Sequence, residues 1–181
     1  MTEPHGPTPA TPEEWTDSDA VLFDLDGVLT PTALVHERAW QQLFDGYLAV
    51  IGHSPYKESD YFDFIDGKPR FDGVRDFLAS RGIVVEEGPF DDAPENNTVH
   101  GLGNRKNLVF NTIVATQGVE PYPGSVRFIE AAQAQGLKLA VVSSSRNAPA
   151  VLKAAGLEDY FEIVVDGELA AAKGIPGKPA P

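Results

Sequence analysis

Three short apolar runs set the frame of the chain: Ala20-Val21-Leu22-Phe23, Lys138-Leu139-Ala140-Val141-Val142 and Phe161-Glu162-Ile163-Val164-Val165. Each has the length and β-branched content of a buried strand, and each gives way to polar residues. The 114 residues from Asp24 to Leu137 separate the first run from the second, too many for a simple crossover, so the pattern predicts an inserted domain there. The insert opens with apolar residues at Val35, Ala39 and Leu43 and at Trp40, Phe44 and Leu48, the three-to-four spacing of a buried helical face. Gly73 to Ser80 and Asn107 to Thr116 read as further helices between Gly, Pro and Asp/Asn clusters. Gly118 to Gly124 reads as the return hinge, with Ser125 as N-cap of a helix from Val126 to Gln135 that Gly136 ends. Strand, helix and strand follow, the order of a doubly wound sheet. The expected organisation is a disordered leader over 1–16, a core domain from 17–32 and 119–181, and a helical cap over 33–118.

Composition narrows the classes. The 181 residues are enough for a core with a small cap, and an apolar content of 42% supports a packed interior. The chain has no cysteine, which removes disulfides and thiolate chemistry and accords with a reducing, cytoplasmic setting. Pro4, Pro7, Pro9 and Pro12 lie in a start with neither a basic end nor an apolar stretch, and no run reaches the length of a membrane span. A net charge of −13 argues against nucleic acid, whose binding rests on clustered Lys and Arg. Any phosphate pocket must then be local, built from Arg70, Arg146, Lys178 and backbone N–H groups within an acidic surface.

The first run ends in Asp24-Leu25-Asp26-Gly27-Val28-Leu29-Thr30, two carboxylates one residue apart where ligands collect in open α/β sheets. Paired acids repel unless a cation or a phosphate-handling site uses them. An Asp-rich turn leading to a helix cap explains the same residues by themselves. Ser143-Ser144-Ser145 after the second run and Gly177-Lys178-Pro179-Ala180-Pro181 after the third add hydroxyl and cation in chain order. Alone, Ser143 reads as a strand-end hydroxyl capping a helix, and Lys178 as a solvated charge.

Together these segments resemble the first three signature motifs of the haloacid dehalogenase superfamily of phosphotransferases, and most closely its β-phosphoglucomutase-like branch. The resemblance runs from about Ala20 to the last residue. It implies an α/β, Rossmann-like parallel sheet core with an inserted helical cap. It also implies an aspartyl phosphate on Asp24, general acid/base work by Asp26, and Mg²⁺ held by Asp24 and the backbone carbonyl of Asp26. The transferring phosphoryl group would be bound by the N–H groups of Leu25 and Ser144, the Ser143 hydroxyl and Lys178. Asp66-Gly67-Lys68-Pro69-Arg70 resembles the family's cap loop, in which Gly67 admits the substrate and Arg70 grips a second phosphate; Ser145-Arg146-Asn147 resembles the core half of that distal site. His36, with Trp40 one helical turn on, matches a histidine beside the active site; alone, both read as core residues. Gly101 to Asn107 either places a further cation over the pocket or is a loop leading into a helix.

One departure stands out: the family's fourth motif, a strand ending in acids that complete the Mg²⁺ shell, has no counterpart before Pro181. The sequence reads as lacking the C-terminal core strands, with weak Mg²⁺ binding, an open edge on the first strand and self-association through it. The expected partner is a small phosphorylated sugar, with no nucleic acid and no membrane. The expected activity is a mutase, with a sugar-phosphate phosphatase and an inactive fragment serving as a binding module as alternatives.

Overall fold

A computed structural model describes residues 18–176, so the leader and the lysine segment around Lys178 lie outside the described residues. The chain divides into two compact units, residues 18–31 with 119–176, and Thr32–Gly118.

The first unit is α/β. Strands β1 (Ala20–Phe23), β2 (Lys138–Val142) and β3 (Ile163–Val165) form a parallel sheet in the order β1-β2-β3. The register sets Phe23 opposite Val141 and Val142 opposite Val165, so the carboxyl ends of β1 and β2 are level. β1 is an edge strand among the described residues, and its Leu22 is 69% exposed. Helices α5 (Pro123–Ala134), α6 (Ala148–Ala154) and α7 (Gly167–Lys173) alternate with the strands. Phe23 meets Phe128 and Phe161 edge-on, with ring centroids 5.8 and 5.6 Å away, and Ile129, Val141, Val151 and Leu152 are buried in this unit.

Ser125 is not an N-cap. α5 begins at Pro123, whose missing N–H falls where no helical partner exists. The Ser125 hydroxyl donates instead to the carbonyl of Val28 at 2.6 Å, and the Tyr122 N–H donates to that of Leu29 at 2.9 Å. These bonds join the two places where the chain leaves and re-enters this unit.

The second unit is helical: α1 (Thr32–Ile51), α2 (Glu58–Phe64), α3 (Arg70–Ser80) and α4 (Val99–Gln117). All six residues of the α1 periodicity are buried. Trp40, Phe44 and Tyr56 stack in succession, and Phe44 packs on Phe77, giving a core of aromatic rings closed by Leu48, Ile65, Val74, Leu78 and Leu102. Trp40 is therefore a core residue, only 4% exposed. Arg81 anchors the end of α3: it pairs with the largely buried Asp60 and donates to the carbonyls of Ser54 (2.7 Å) and Pro55 (3.2 Å).

α4 starts at Val99, eight residues before the predicted helix, so Gly101 to Asn107 is helix rather than a loop leading into one. Its two glycines permit close contacts. A Cβ on Gly101 would stand 2.4 Å from the Asn96 carbonyl oxygen, and one on Gly103 would stand 2.6 Å from the Phe71 ring. No helix among the described residues is long and apolar enough to cross a membrane.

Candidate active site

Asp24 and Asp26 flank Leu25 just beyond β1. Leu25 and Leu29 are wholly buried and pin a tight loop between them. The Leu25 carbonyl accepts the N–H groups of Val28, Leu29 and Thr30 at 3.3, 2.9 and 3.1 Å, and the Gly27 N–H donates to Thr30 at 2.8 Å. Gly27 turns the chain with φ of +79°, a conformation that disfavours any side chain. Both carboxylates are left half-buried at the rim of the sheet.

Ser143 follows β2 at the same end. It is buried, and its Oγ lies 3.5 Å from Oδ2 of Asp26. The same oxygen accepts the Ser145 N–H at 3.1 Å, and Ser145 Oγ accepts the Asn147 N–H at 3.1 Å. Ser143 thus organises its own turn rather than capping α6, which begins at Ala148. The turn is held from the far side as well: the Gly167 N–H donates to the Ser145 carbonyl at 3.2 Å, and a Cβ on Gly167 would come within 2.5 Å of the Ser144 oxygen. Asp166 caps α7 through the N–H groups of Glu168 and Leu169. Ser144 and Arg146 are exposed, and Asn147 is half-buried at the start of α6. The structure brings Asp26 and Ser143 together; Lys178 lies outside the described residues.

Oxygen donors from Asp24 and the Asp26 carbonyl suit a hard cation such as Mg²⁺, which keeps several waters and takes further oxygens from a phosphate. Among the described residues, no three His, Asp or Glu side chains gather as a metal shell.

In the helical unit, Gly67 (φ +72°) turns the chain into Pro69 and then Arg70, the first residue of α3. His36 of α1 stacks on Phe110 of α4 with centroids 4.2 Å apart, and its Nδ1 lies 2.5 Å from Nζ of Lys106. Burial, then the Lys106 charge, then Arg70 lower the His36 pKa to about 3, so the imidazole is neutral. Lys106 is only 3% exposed and lies over the rings of Trp40 and Phe110. Sequence reading reached Lys106 only as part of the segment Gly101 to Asn107, as a candidate cation over the pocket, although a lysine within the stripe Leu102, Lys106, Phe110 and Ile113 was the signal that singles it out. A lysine, an arginine and a neutral histidine therefore converge in one small region of a strongly acidic chain.

Residues 18–181 match the family model of the haloacid dehalogenase-like hydrolases. The chain is 45% identical to a β-phosphoglucomutase of Mycobacterium bovis over 90% of its own length and 64% of that protein's. It is 30% identical to the β-phosphoglucomutase of Bacillus subtilis, covering 87% and 64% of the two chains. It thus spans under two thirds of the length of either relative. Among solved structures, a haloacid dehalogenase family hydrolase from Deinococcus radiodurans with bound phosphate and sodium superposes with a TM-score of 0.57 at 28% identity, over 90% of this chain and 62% of that one. By the matched model and the arrangement around β1, the chain belongs to the haloacid dehalogenase superfamily, in its β-phosphoglucomutase-like branch.

Proposed function

We propose that the chain carries the catalytic aspartates of a magnesium-dependent phosphotransferase acting on sugar phosphates in the manner of a β-phosphoglucomutase. The observation that supports this most is the meeting of Asp26 and Ser143 at the sheet end directly beyond Asp24. A carboxylate oxygen of Asp24 attacks the phosphorus of a sugar phosphate, and the P–O bond to the sugar breaks. Asp26 gives its proton to the departing oxygen, and takes one from the accepting hydroxyl when the phosphoryl group leaves Asp24. The Ser143 hydroxyl and the N–H groups of Leu25 and Ser144 steady the transferring oxygens, with Lys178 as the family's cation. Asp24 and the Asp26 carbonyl would hold Mg²⁺, which when bound supplies positive charge to those oxygens.

In the cap, Gly67 opens the backbone to substrate and Arg70 binds a second phosphate; in the core, Ser145, Arg146 and Asn147 bind phosphate by the family resemblance. The cations near His36 favour a substrate with two anionic ends, and hence the mutase over a phosphatase in which water discharges Asp24. The test is phosphoenzyme trapping: ³²P-labelled glucose 1,6-bisphosphate with Mg²⁺ leaves an acid-stable label on the wild-type chain. Asp24→Asn abolishes the label, and Asp26→Ala slows its appearance by about 10²–10⁴-fold. Equal labelling of the Asp24→Asn chain overturns the assignment of the nucleophile, and an unlabelled wild-type chain favours a binding role.

A further inference from the structure

Asn104, in the second turn of α4, has its carboxamide fixed from one side. Its Nδ2 donates to the backbone carbonyls of Phe90 at 3.2 Å and Asp92 at 2.9 Å, which engages both amide protons. Its Oδ1 therefore faces the other way, toward Nη2 of Arg70 at 3.4 Å. The carbonyls that hold it belong to a loop with its own internal frame. The buried Asp92 carboxylate accepts from the Ala93 N–H at 3.0 Å, from Asn96 Nδ2 at 2.6 Å and from the Thr98 hydroxyl. Thr98 in turn accepts the Gly101 N–H at 2.9 Å as N-cap of α4. Gly103, with no Cβ to push Phe71 away, lets α4 approach α3, and the Arg70 guanidinium lies over that Phe71 ring at 4.9 Å.

We infer that Asn104 is a positioning residue for Arg70, aiming its guanidinium at the second phosphate of a sugar bisphosphate; this rests on the reading of Arg70 given above. At 3.4 Å the contact is long for an N–H···O bond, so it orients the group without competing strongly with a phosphate for it. An orienting contact of this kind lowers the ordering cost that a long, flexible side chain otherwise meets on binding.

Two measurements on the full chain test the inference. The first is ligand-free: the Nε–H order parameter of Arg70 by NMR falls in Asn104→Leu. The second is calorimetric, with glucose 1,6-bisphosphate and inorganic phosphate as probes. Asn104→Leu weakens the bisphosphate about tenfold and leaves inorganic phosphate unchanged; in an Arg70→Ala background the same substitution has almost no further effect. The unchanged phosphate affinity and an unshifted melting temperature exclude general loss of structure, and Asn104→Ser serves if the leucine variant does not fold. An unaltered order parameter overturns the inference, as does a loss that adds fully to that of Arg70→Ala. An order parameter that falls while Arg70→Ala keeps wild-type bisphosphate affinity overturns instead the assignment of Arg70 to a second phosphate.

Discussion

Lys106 holds its Nζ against Nδ1 of His36, so the ring's proton sits on Nε2 and the imidazole can only donate from that side. With a pKa near 3 in the folded chain and near 6.5 when unfolded, His36 takes up a proton on unfolding throughout the interval between. Its contribution to stability is full above pH 6.5 and is lost as the pH falls toward 3. The loss reaches about 1.4 kcal/mol per pH unit at its steepest. Urea denaturation at pH 7 and pH 5 should show wild type losing about 2 kcal/mol more than His36→Gln. Equal losses would place the charged histidine comfortably inside the fold.

Arg81 and Asp60 should behave as an inseparable pair. Removing the guanidinium in Arg81→Met leaves a largely buried carboxylate without its cation, strips the Phe77 ring of the charge lying over it, and leaves two carbonyls that have lost their donor. The expected cost is about 3 kcal/mol in chemical denaturation. Arg81→Met with Asp60→Asn should cost less than Arg81→Met alone, which a double-mutant cycle measures directly.

Two glycine substitutions in helices should have opposite signs. Gly46 lies on the exposed face of α1 with nothing within 4 Å of an added Cβ, so Gly46→Ala should stabilise by about 0.5–1 kcal/mol. Gly101→Ala drives a methyl into the carbonyls of Asn96 and Ala93, and should destabilise by about 1–3 kcal/mol. Melting temperatures of the two variants check both signs.

Arg70→Ala should divide two reactions. Transfer between sugar phosphates should fall by about 10–100-fold in kcat/KM, the worth of a charge-assisted contact. Hydrolysis of a small phosphate monoester, which has no second phosphate to grip, should stay near wild type. Equal losses in paired assays would assign Arg70 to the folding of the α3 start instead.

The legible parts of the sequence were those governed by one local signal. Short apolar runs located β1 and β2, and the double stripe on α1 announced its buried faces before any contact was known. α4 was legible only in its second half, because Gly101 and Gly103 argue against helix on propensity, whereas tertiary contact is what makes them necessary. The Thr98 side chain that caps α4 was the missed start signal, as Pro123 was for α5. Lys106 had a periodic signal in its apolar stripe, whereas Asn104 owes its surroundings to a loop and a helix distant in sequence, and no periodicity carries that information.

The bonds from Tyr122 to Leu29 and from Ser125 to Val28 tie off the helical insertion at its neck. The entropy of closing a loop grows only with the logarithm of its length, so the sheet is nearly indifferent to how much chain is strung between those knots. On the proposal that the insertion grips substrate through Arg70, that grip can be lengthened, shortened or exchanged there while the aspartate loop keeps its shape. A lineage could in this way change what it acts on without rebuilding how it acts.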